Sequence, residues 1–283
     1  MFTTDTLKNK TILITGGGSG LGLAMAKGFA TAGADIAICG RTESKLQKAT
    51  NEIRSIREGI QVSSYVADVR NFEEVAIMFQ SAVQDFGKID GLVNNAAGNF
   101  LSASEDLSPG GFKAIVDIVL HGSFNCTHAF GNYLIDKKRE GSILNIVTTY
   151  ATHGSAFVLP SACAKSGVLT MTKSLAYEWA EYGIRVNAIA PGPFQTKGAW
   201  ARLVPSMAVE KMMTKQNPTK RLGKHEELAN LATFLMSDLA PYITGESVVI
   251  DGGESLKAGQ FNFVTDLMSR SKLRKAFKAM KPK

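Results

Sequence analysis

The sequence predicts an α/β fold, a doubly wound parallel sheet in a single domain followed by a basic C-terminal tail. Three observations predict it. Short runs rich in Ile, Val and Leu alternate with longer segments of helical periodicity. The first of these runs opens directly into a glycine-rich turn. The excess positive charge is confined to the last residues of the chain. The 283 residues are 45% hydrophobic and 20% charged, an ordinary globular balance that excludes disordered and fibrous architectures.

Seven candidate strands fall at 11–15, 35–39, 62–66, 91–94, 142–147, 185–189 and 247–250. Helical patterns lie between them. One covers 20–32. A second, at 43–57, places Leu46, Ile53 and Ile56 roughly on one face, and a third, at 72–86, does so with Val75, Met78, Phe79 and Val83. A long pattern follows Pro160 through Trp179. Strand–helix alternation implies parallel strands with helical crossovers. No internal repeat, low-complexity segment or linker interrupts the chain before about Lys257. The expected organisation is one domain over 1–256 and a basic extension over 257–283. Segment 197–220, with Trp200, Leu203, Met207, Met212 and Met213, reads as a substrate lid, its methionines suiting a deformable apolar surface. Ordinary helix packing explains them as well.

The net charge of +7 resides in the tail. Residues 257–283 hold eight basic side chains (Lys257, Arg270, Lys272, Arg274, Lys275, Lys278, Lys281 and Lys283) against Asp266 alone. The remainder has 24 basic and 24 acidic residues and is neutral. Leu273, Phe277 and Met280 fit the apolar stripe of an amphipathic helix. That helix packs on a subunit, lies in solvent, or meets phosphate or an anionic surface. Nucleic acid is not an expected partner, because no zinc-finger, helix-turn-helix or aromatic-and-basic motif is present. No transmembrane span or secretory signal is legible. Cys39, Cys126 and Cys163 are too few and too scattered for a disulfide framework or a zinc site, and fit a reducing compartment. That fits the cytoplasm for a bacterial protein, and a mitochondrion or peroxisome for a eukaryotic one. Cys163 reads as packing. His121 and His153 lack the partner spacing of a metal site or triad and read as structural.

Thr15 runs into Gly16-Gly17-Gly18-Ser19-Gly20-Leu21-Gly22, after which a helix begins. Glycines there permit positive φ and close approach of backbone to ligand. The helix N-terminus offers free N–H groups to phosphate oxygens. The second strand ends at Cys39-Gly40-Arg41, with a cation where NAD-binding folds usually carry an acid. A guanidinium pairs bidentately with a 2′-phosphate, so the expected cofactor is NADP(H). The plainer alternative is a strand-end arginine. Asp68, after the third strand, is a candidate acceptor for the adenine amino group.

Thr15-Gly16-x-x-x-Gly20-x-Gly22, then Asn94-Asn95-Ala96-Ala97-Gly98, then Pro191-Gly192 resembles the short-chain dehydrogenase/reductase family over about residues 7–253. The resemblance implies a Rossmann-type sheet of seven strands and a homo-oligomer, a dimer or tetramer, with the homotetramer expected. It implies cofactor contacts by Gly16, Gly18, Ser19, Gly20, Leu21, Gly22, Arg41, Asp68, Val69, Asn95, Ala96, Lys165, Pro191, Gly192, Pro193 and Phe194. The family's chemistry needs Tyr and Lys four residues apart, on one helix face. Lys165 is present, but Ser161 occupies the Tyr position, and Val119 stands where the family's helix Asn would be. A Ser hydroxyl is a far weaker acid than a phenol, which argues against ordinary ketone reduction.

One subgroup departs in this same way. Residues 95–100 (NAAGNF), 148–150 (TTY), 160–165 (PSACAK) and 191–198 (PGPFQTKG) resemble the 2,4-dienoyl-CoA reductases. The resemblance implies Tyr150 as the working Tyr, assisted by Asn99, with Lys165 on the nicotinamide ribose and Ser161 bonding to cofactor or water. It further implies substrate contacts by Phe100, Ser108 and Arg202. The expected partner is an acyl-CoA thioester, reduced from 2,4-dienoyl to 3-enoyl in unsaturated fatty acid β-oxidation, with no metal. Two alternatives stand beside it: another enoyl- or 3-oxoacyl-thioester reductase, and a non-catalytic NADP-binding protein. The plainer readings are an aromatic at the sheet end for Tyr150, a left-handed turn residue for Asn99 and a surface lysine for Lys165.

Overall fold

A computed structural model of the chain describes residues 3–196, 198, 200, 203–204 and 206–280. Strands β1 (Thr11–Thr15), β2 (Asp35–Gly40), β3 (Val62–Val66), β4 (Gly91–Asn94), β5 (Gly141–Ile146), β6 (Ile184–Pro191) and β7 (Ser247–Ile250) form one sheet in the order β3-β2-β1-β4-β5-β6-β7. Every neighbouring pair is parallel. The helices are α1 (Gly20–Thr31), α2 (Glu43–Arg54), α3 (Phe72–Phe86), α4 (Pro109–Val116), α5 (Gly122–Asp136), α6 (Leu159–Glu178), α7 (Met207–Gln216), α8 (His225–Met236), the short α9 (Val264–Leu267) and α10 (Arg270–Ala279).

Parallel strands covered on both faces read as near-continuous apolar runs. The centre of β1, Ile12, Leu13 and Ile14, fits, with buried Thr11 and Thr15 at its ends. Ile12 and Ile14 join the core layer that contains Met25, Phe29, Leu46 and Leu228, while Leu13 joins the opposite layer with Phe79, Phe130 and Leu134. Ile36 and Ile38 of β2 follow the first pair, and Ala37 and Cys39 the second. The seven expected strands are therefore all present. Helix α2 stops three residues before the expected end. Its buried face runs out at Ile53, and Ile56 lies exposed beyond it. Helix α3 matches its expected bounds. Asn71 caps it by accepting from the Glu73 and Glu74 amides, and Gly87 (φ 74°) closes it in the left-handed conformation.

Two features were not legible in the pattern. A buried polar ladder crosses the sheet: the Asn94 amide donates to Thr127 Oγ1 (2.8 Å) and Asn145 Oδ1 (2.8 Å), and Asn145 donates to Thr172 Oγ1 (2.8 Å). It ties β4 and β5 to α5 and α6. Between α4 and α5 the helix widens to a π turn over Asp117–His121. Val119, in the place of the family's Asn, is fully buried there, and Ser123 Oγ donates to its carbonyl at 2.6 Å. Such turns are frequent at functional sites.

The order reverses between β1 and β4, with β2 and β5 on opposite sides. In such sheets the ligand crevice lies outside the carboxyl ends of the strands at that point. The tail helix α10 forms as expected, but only Leu273 is covered. Phe277 and Met280 are exposed. No described helix is long and apolar enough to cross a membrane.

Candidate active site

A cavity of about 910 Å³ occupies the crevice. Its wall collects Gly16, Ser19, Gly20, Leu21, Arg41, Asp68, Val69, Asn95 and Ala96 from the β1, β2, β3 and β4 ends, and Pro191, Gly192, Pro193 and Phe194 from β6. Asn99, Tyr150, Ser161 and Lys165 lie in the same wall. The sequence-predicted catalytic group is thus brought together.

The glycine-rich turn is bent by Gly16 (φ 65°) and Gly20 (φ 57°). A Cβ on Gly16 would sit 3.0 Å from Asn95 Nδ2 and 3.1 Å from Ala96 Cα, so glycine is required where the two loops meet. Gly22 does not reach the cavity. Its Cα packs against the Gly16 carbonyl, where a Cβ would come within 2.5 Å. Gly18 lies against Leu46 and does not line the cavity either. The entry to α1 is left open. Ser19 makes no side-chain cap bond, and the first turn holds no acid. The N–H groups and positive dipole end of the helix therefore remain available to an anion.

Arg41 is exposed at the end of β2, and no carboxylate is bonded to its guanidinium among the described residues. Asp68 faces the same region, its carboxylate bonded to Arg70 Nε at 3.0 Å, which holds its pKa below the usual range. Asn95 donates to the Thr15 carbonyl (3.0 Å), locking the β4 loop onto the turn.

The β4 loop carries Asn99, and the turn after β5 (Thr149–Ala151) carries Tyr150. Asn99 Nδ2 donates to Tyr150 Oη at 3.2 Å, and Tyr150 Oη lies 3.1 Å from Ser161 Oγ. Asn99 Oδ1 accepts from the Phe100 amide (2.9 Å), which fixes the amide so that its N–H₂ end faces Tyr150. Asn99 has no positive φ, so its side chain is not merely that of a left-handed turn residue. Ser161 and Lys165 stand one helical turn apart on α6 and are 2% and 5% exposed. Lys165 Nζ donates to the Ile146 carbonyl, and burial depresses its pKa to about 8. Thr148 Oγ1 is buried in the cavity wall with no partner. An orphaned hydroxyl and a buried ammonium with no carboxylate bonded to it both await a polar ligand.

Other expected site residues lie elsewhere. Phe100 packs in the core layer with Ile115 and Val119, outside the cavity wall. Ser108 caps α4, accepting from the Gly111 amide at 3.1 Å, and is likewise outside it. Arg202 and part of the lid, residues 197, 199, 201 and 205, lie outside the described residues. Of the lid, Gly198, Trp200, Leu203, Val204 and Met213 line the cavity, whereas Met207 and Met212 face solvent. His153 lines the cavity. His121 pairs with Asp117 at 3.1 Å. Cys163 is exposed rather than packed, because the α6 face beside Ser161 turns outward. Cys39 and Cys126 are buried, Cys39 with its thiol pKa pushed up to about 12, and both are inert. Sequence reasoning missed Lys45 and the Glu254, Ser255, Lys257 and Ala258 wall. The signal was positional. The loop after β7 leaves a carboxyl strand end, where such crevices form.

The chain matches over residues 16–255 the family model described as enoyl-(acyl carrier protein) reductase. It is 44% identical to a probable 2,4-dienoyl-CoA reductase, (2E)-enoyl-CoA-producing, of Bacillus subtilis, over 90% of this chain and 100% of the relative. It is also 44% identical to a probable 2,4-dienoyl-CoA reductase 3, (3E)-enoyl-CoA-producing, of Caenorhabditis elegans, over 88% of this chain and 81% of the relative. The crystal structure of a short chain dehydrogenase from Bacillus anthracis superposes with a TM-score of 0.80 at 45% identity, covering 88% of this chain and 97% of that one. The fold, the crevice with its glycine turn, and these matches lead to one assignment: the chain belongs to the short-chain dehydrogenase/reductase family, within the group whose curated members are named 2,4-dienoyl-CoA reductase.

Proposed function

We propose that the protein reduces 2,4-dienoyl-CoA thioesters to 3-enoyl-CoA with NADPH, as a step in the breakdown of unsaturated acyl chains. The observation that carries the reading is the Asn99–Tyr150–Ser161 cluster, in which the phenol comes from the β5 turn and a serine holds the usual helix position. The cavity residues fit the cofactor. The turn at Gly16–Gly20 and the open α1 terminus would hold its diphosphate, Lys165 its nicotinamide ribose, and exposed Arg41 the 2′-phosphate that separates NADP(H) from NAD(H).

When bound, the cofactor supplies a hydride to the far carbon of the conjugated system, C5. The displaced electron pair moves through the diene to the thioester oxygen, giving a dienolate. No alkoxide forms at the hydride acceptor, so no phenol is needed there. What the step needs is a pair of neutral donors at the thioester oxygen. Asn99 has a second N–H free of Tyr150. Tyr150 O–H, shared with Ser161 in this structure, turns to the substrate oxygen. Ser161 then donates to Tyr150 Oη, since a hydroxyl both donates and accepts. Ser161 is therefore a support for Tyr150. Lys165 adds a positive field from below. Protonation by water at C2, where a dienolate is protonated fastest, gives the 3-enoyl product, and protonation at C4 would give the 2-enoyl product. The names of the two relatives divide on this point, and the donors at the oxygen leave C2 beside them as the nearer carbon.

The test follows NADPH absorbance with a dienoyl-CoA, an enoyl-CoA and a 3-oxoacyl-CoA. Turnover with the first alone is expected, with the double bond of the product at C3. Turnover of the oxoacyl substrate, or cofactor binding without any turnover, overturns the reading.

A further inference from the structure

The proposed active site leaves the basic tail unexplained. The family match ends at residue 255, and the +7 charge begins two residues later. The start of the tail is nevertheless part of the cavity. Gly252 (φ 66°) and Gly253 (φ 85°) turn the chain back after β7, and Asp251 pins the turn by accepting from the Gly253 (2.8 Å) and Ser255 (2.7 Å) amides. Asn217, at the end of α7, clamps the same turn by donating to the Asp251 carbonyl at 2.8 Å. The turn Glu254–Ala258 that follows is thereby fixed at the cavity wall, with Lys257 exposed on it.

The described cations of the wall are Arg41, Lys45, Lys165 and Lys257. Arg41 and Lys45 stand at the end of β2 and the start of α2. Lys165 is buried below the centre. Lys257 follows β7, five strand spacings from β2, or roughly 24 Å across the sheet. It is the described cation of the wall on the β7 side, away from Arg41 and Lys45, and it is exposed at the rim. An acyl-CoA buries its chain and thioester, but its 3′-phospho-ADP end carries several negative charges and must leave the cavity at the rim.

We infer that Lys257, in the field of the basic tail behind it, is a binding site for the phosphates of the CoA moiety. The inference rests on the dienoyl-CoA reading for its substrate, and concerns recognition rather than chemistry. Glu254 lies beside Lys257 and Asp251. Burial and the neighbouring Asp251 raise its pKa, and Lys257 opposes them. The five cations of α10 (Arg270, Lys272, Arg274, Lys275 and Lys278) extend the positive field into solvent, where they raise the encounter rate with an anionic substrate.

The experiment compares wild type with Lys257→Glu and with a variant reversing Lys272, Arg274, Lys275 and Lys278 to Glu. Calorimetry of the NADP(H)-loaded proteins measures CoA and 3′-dephospho-CoA. Kinetics measure KM for a dienoyl-CoA and for the matching N-acetylcysteamine thioester, which lacks all phosphates. The expected result is about a tenfold rise in the ratio of the two KM values for Lys257→Glu, and a matching loss of CoA affinity. A smaller rise is expected for the helix variant at low salt. An unmoved ratio and unmoved CoA affinity in both variants overturn the inference. If the helix variant instead loses pelleting with phosphatidylserine vesicles while CoA affinity holds, the tail is a membrane-surface arm and the inference falls. Wild type that turns over neither thioester defeats the reductase reading, and calorimetry, which needs no turnover, still decides the phosphate site.

Discussion

Replacing Tyr150 by Phe removes one hydroxyl from a cluster in which each member leans on the others. Tyr150 Oη takes the Asn99 amide at 3.2 Å and meets Ser161 Oγ at 3.1 Å. Loss of a preorganised donor to a developing oxyanion costs ~10²–10³ in turnover, about 3–4 kcal/mol. The same change strands Ser161 Oγ, which is 2% exposed, at a stability cost of about 1–2 kcal/mol. For a chain of this size that lowers Tm by roughly 2–8 °C. Activity and stability can then be separated with the double variant Tyr150→Phe/Ser161→Ala. Removing the stranded hydroxyl should return most of the Tm and none of the rate. The assays are NADPH oxidation with dienoyl-CoA, calorimetric melting, and fluorescence titration of NADPH, whose affinity should barely move. The reasoning is refuted if Ser161→Ala alone slows turnover more than Tyr150→Phe, because Ser161 is then the direct donor.

Asn99→Ala should slow turnover by about 10²-fold and leave NADPH affinity within twofold, since the second donor is lost at the same oxygen. An unchanged rate would confine Asn99 to loop support. Arg41→Ala should weaken NADPH about 10–100-fold and NADH hardly at all, as read by fluorescence titration, and equal losses would remove the 2′-phosphate contact. Lys165 carries a pH signature. Burial depresses its pKa from 10.5 to about 8, so the folded state resists the charged form. The unfolded chain therefore binds the extra proton between those values, and stability rises with pH across that window. The cost of the buried charge is roughly 3 kcal/mol below pH 8 and vanishes above the upper value. Urea midpoints for wild type should climb relative to Lys165→Met between pH 7.5 and 10. Parallel profiles would mean the ammonium is not desolvated.

Much of this fold was legible because parallel strands buried on both faces write themselves as unbroken apolar runs. The run at 12–14 is an example, with Ile12 and Ile14 on one layer and Leu13 on the other. The proposed catalytic cluster was suggested by motif positions, and the structure brings Asn99, Tyr150, Ser161 and Lys165 into one wall. Three kinds of residue were not. Ser108, implied as a substrate contact by the resemblance alone, accepts from the Gly111 amide as the cap of α4, a role that one sequence does not separate from ligand binding. His153 and Lys257 reach the cavity through loop geometry that no periodicity encodes. The Asn94–Asn145–Thr172 ladder joins residues from different elements, and one sequence holds no record of which side chains will meet.

The central claim is that negative charge gathers on the thioester oxygen between Tyr150 and Asn99. A crystal structure of the ternary complex with NADP⁺ and a dienoyl-CoA tests it most directly. The account predicts that oxygen at about 3 Å from both Tyr150 Oη and Asn99 Nδ2, with Ser161 Oγ still bonded to the phenol. A thioester oxygen bound instead by Ser161, or out of hydrogen-bond reach of both donors, contradicts it.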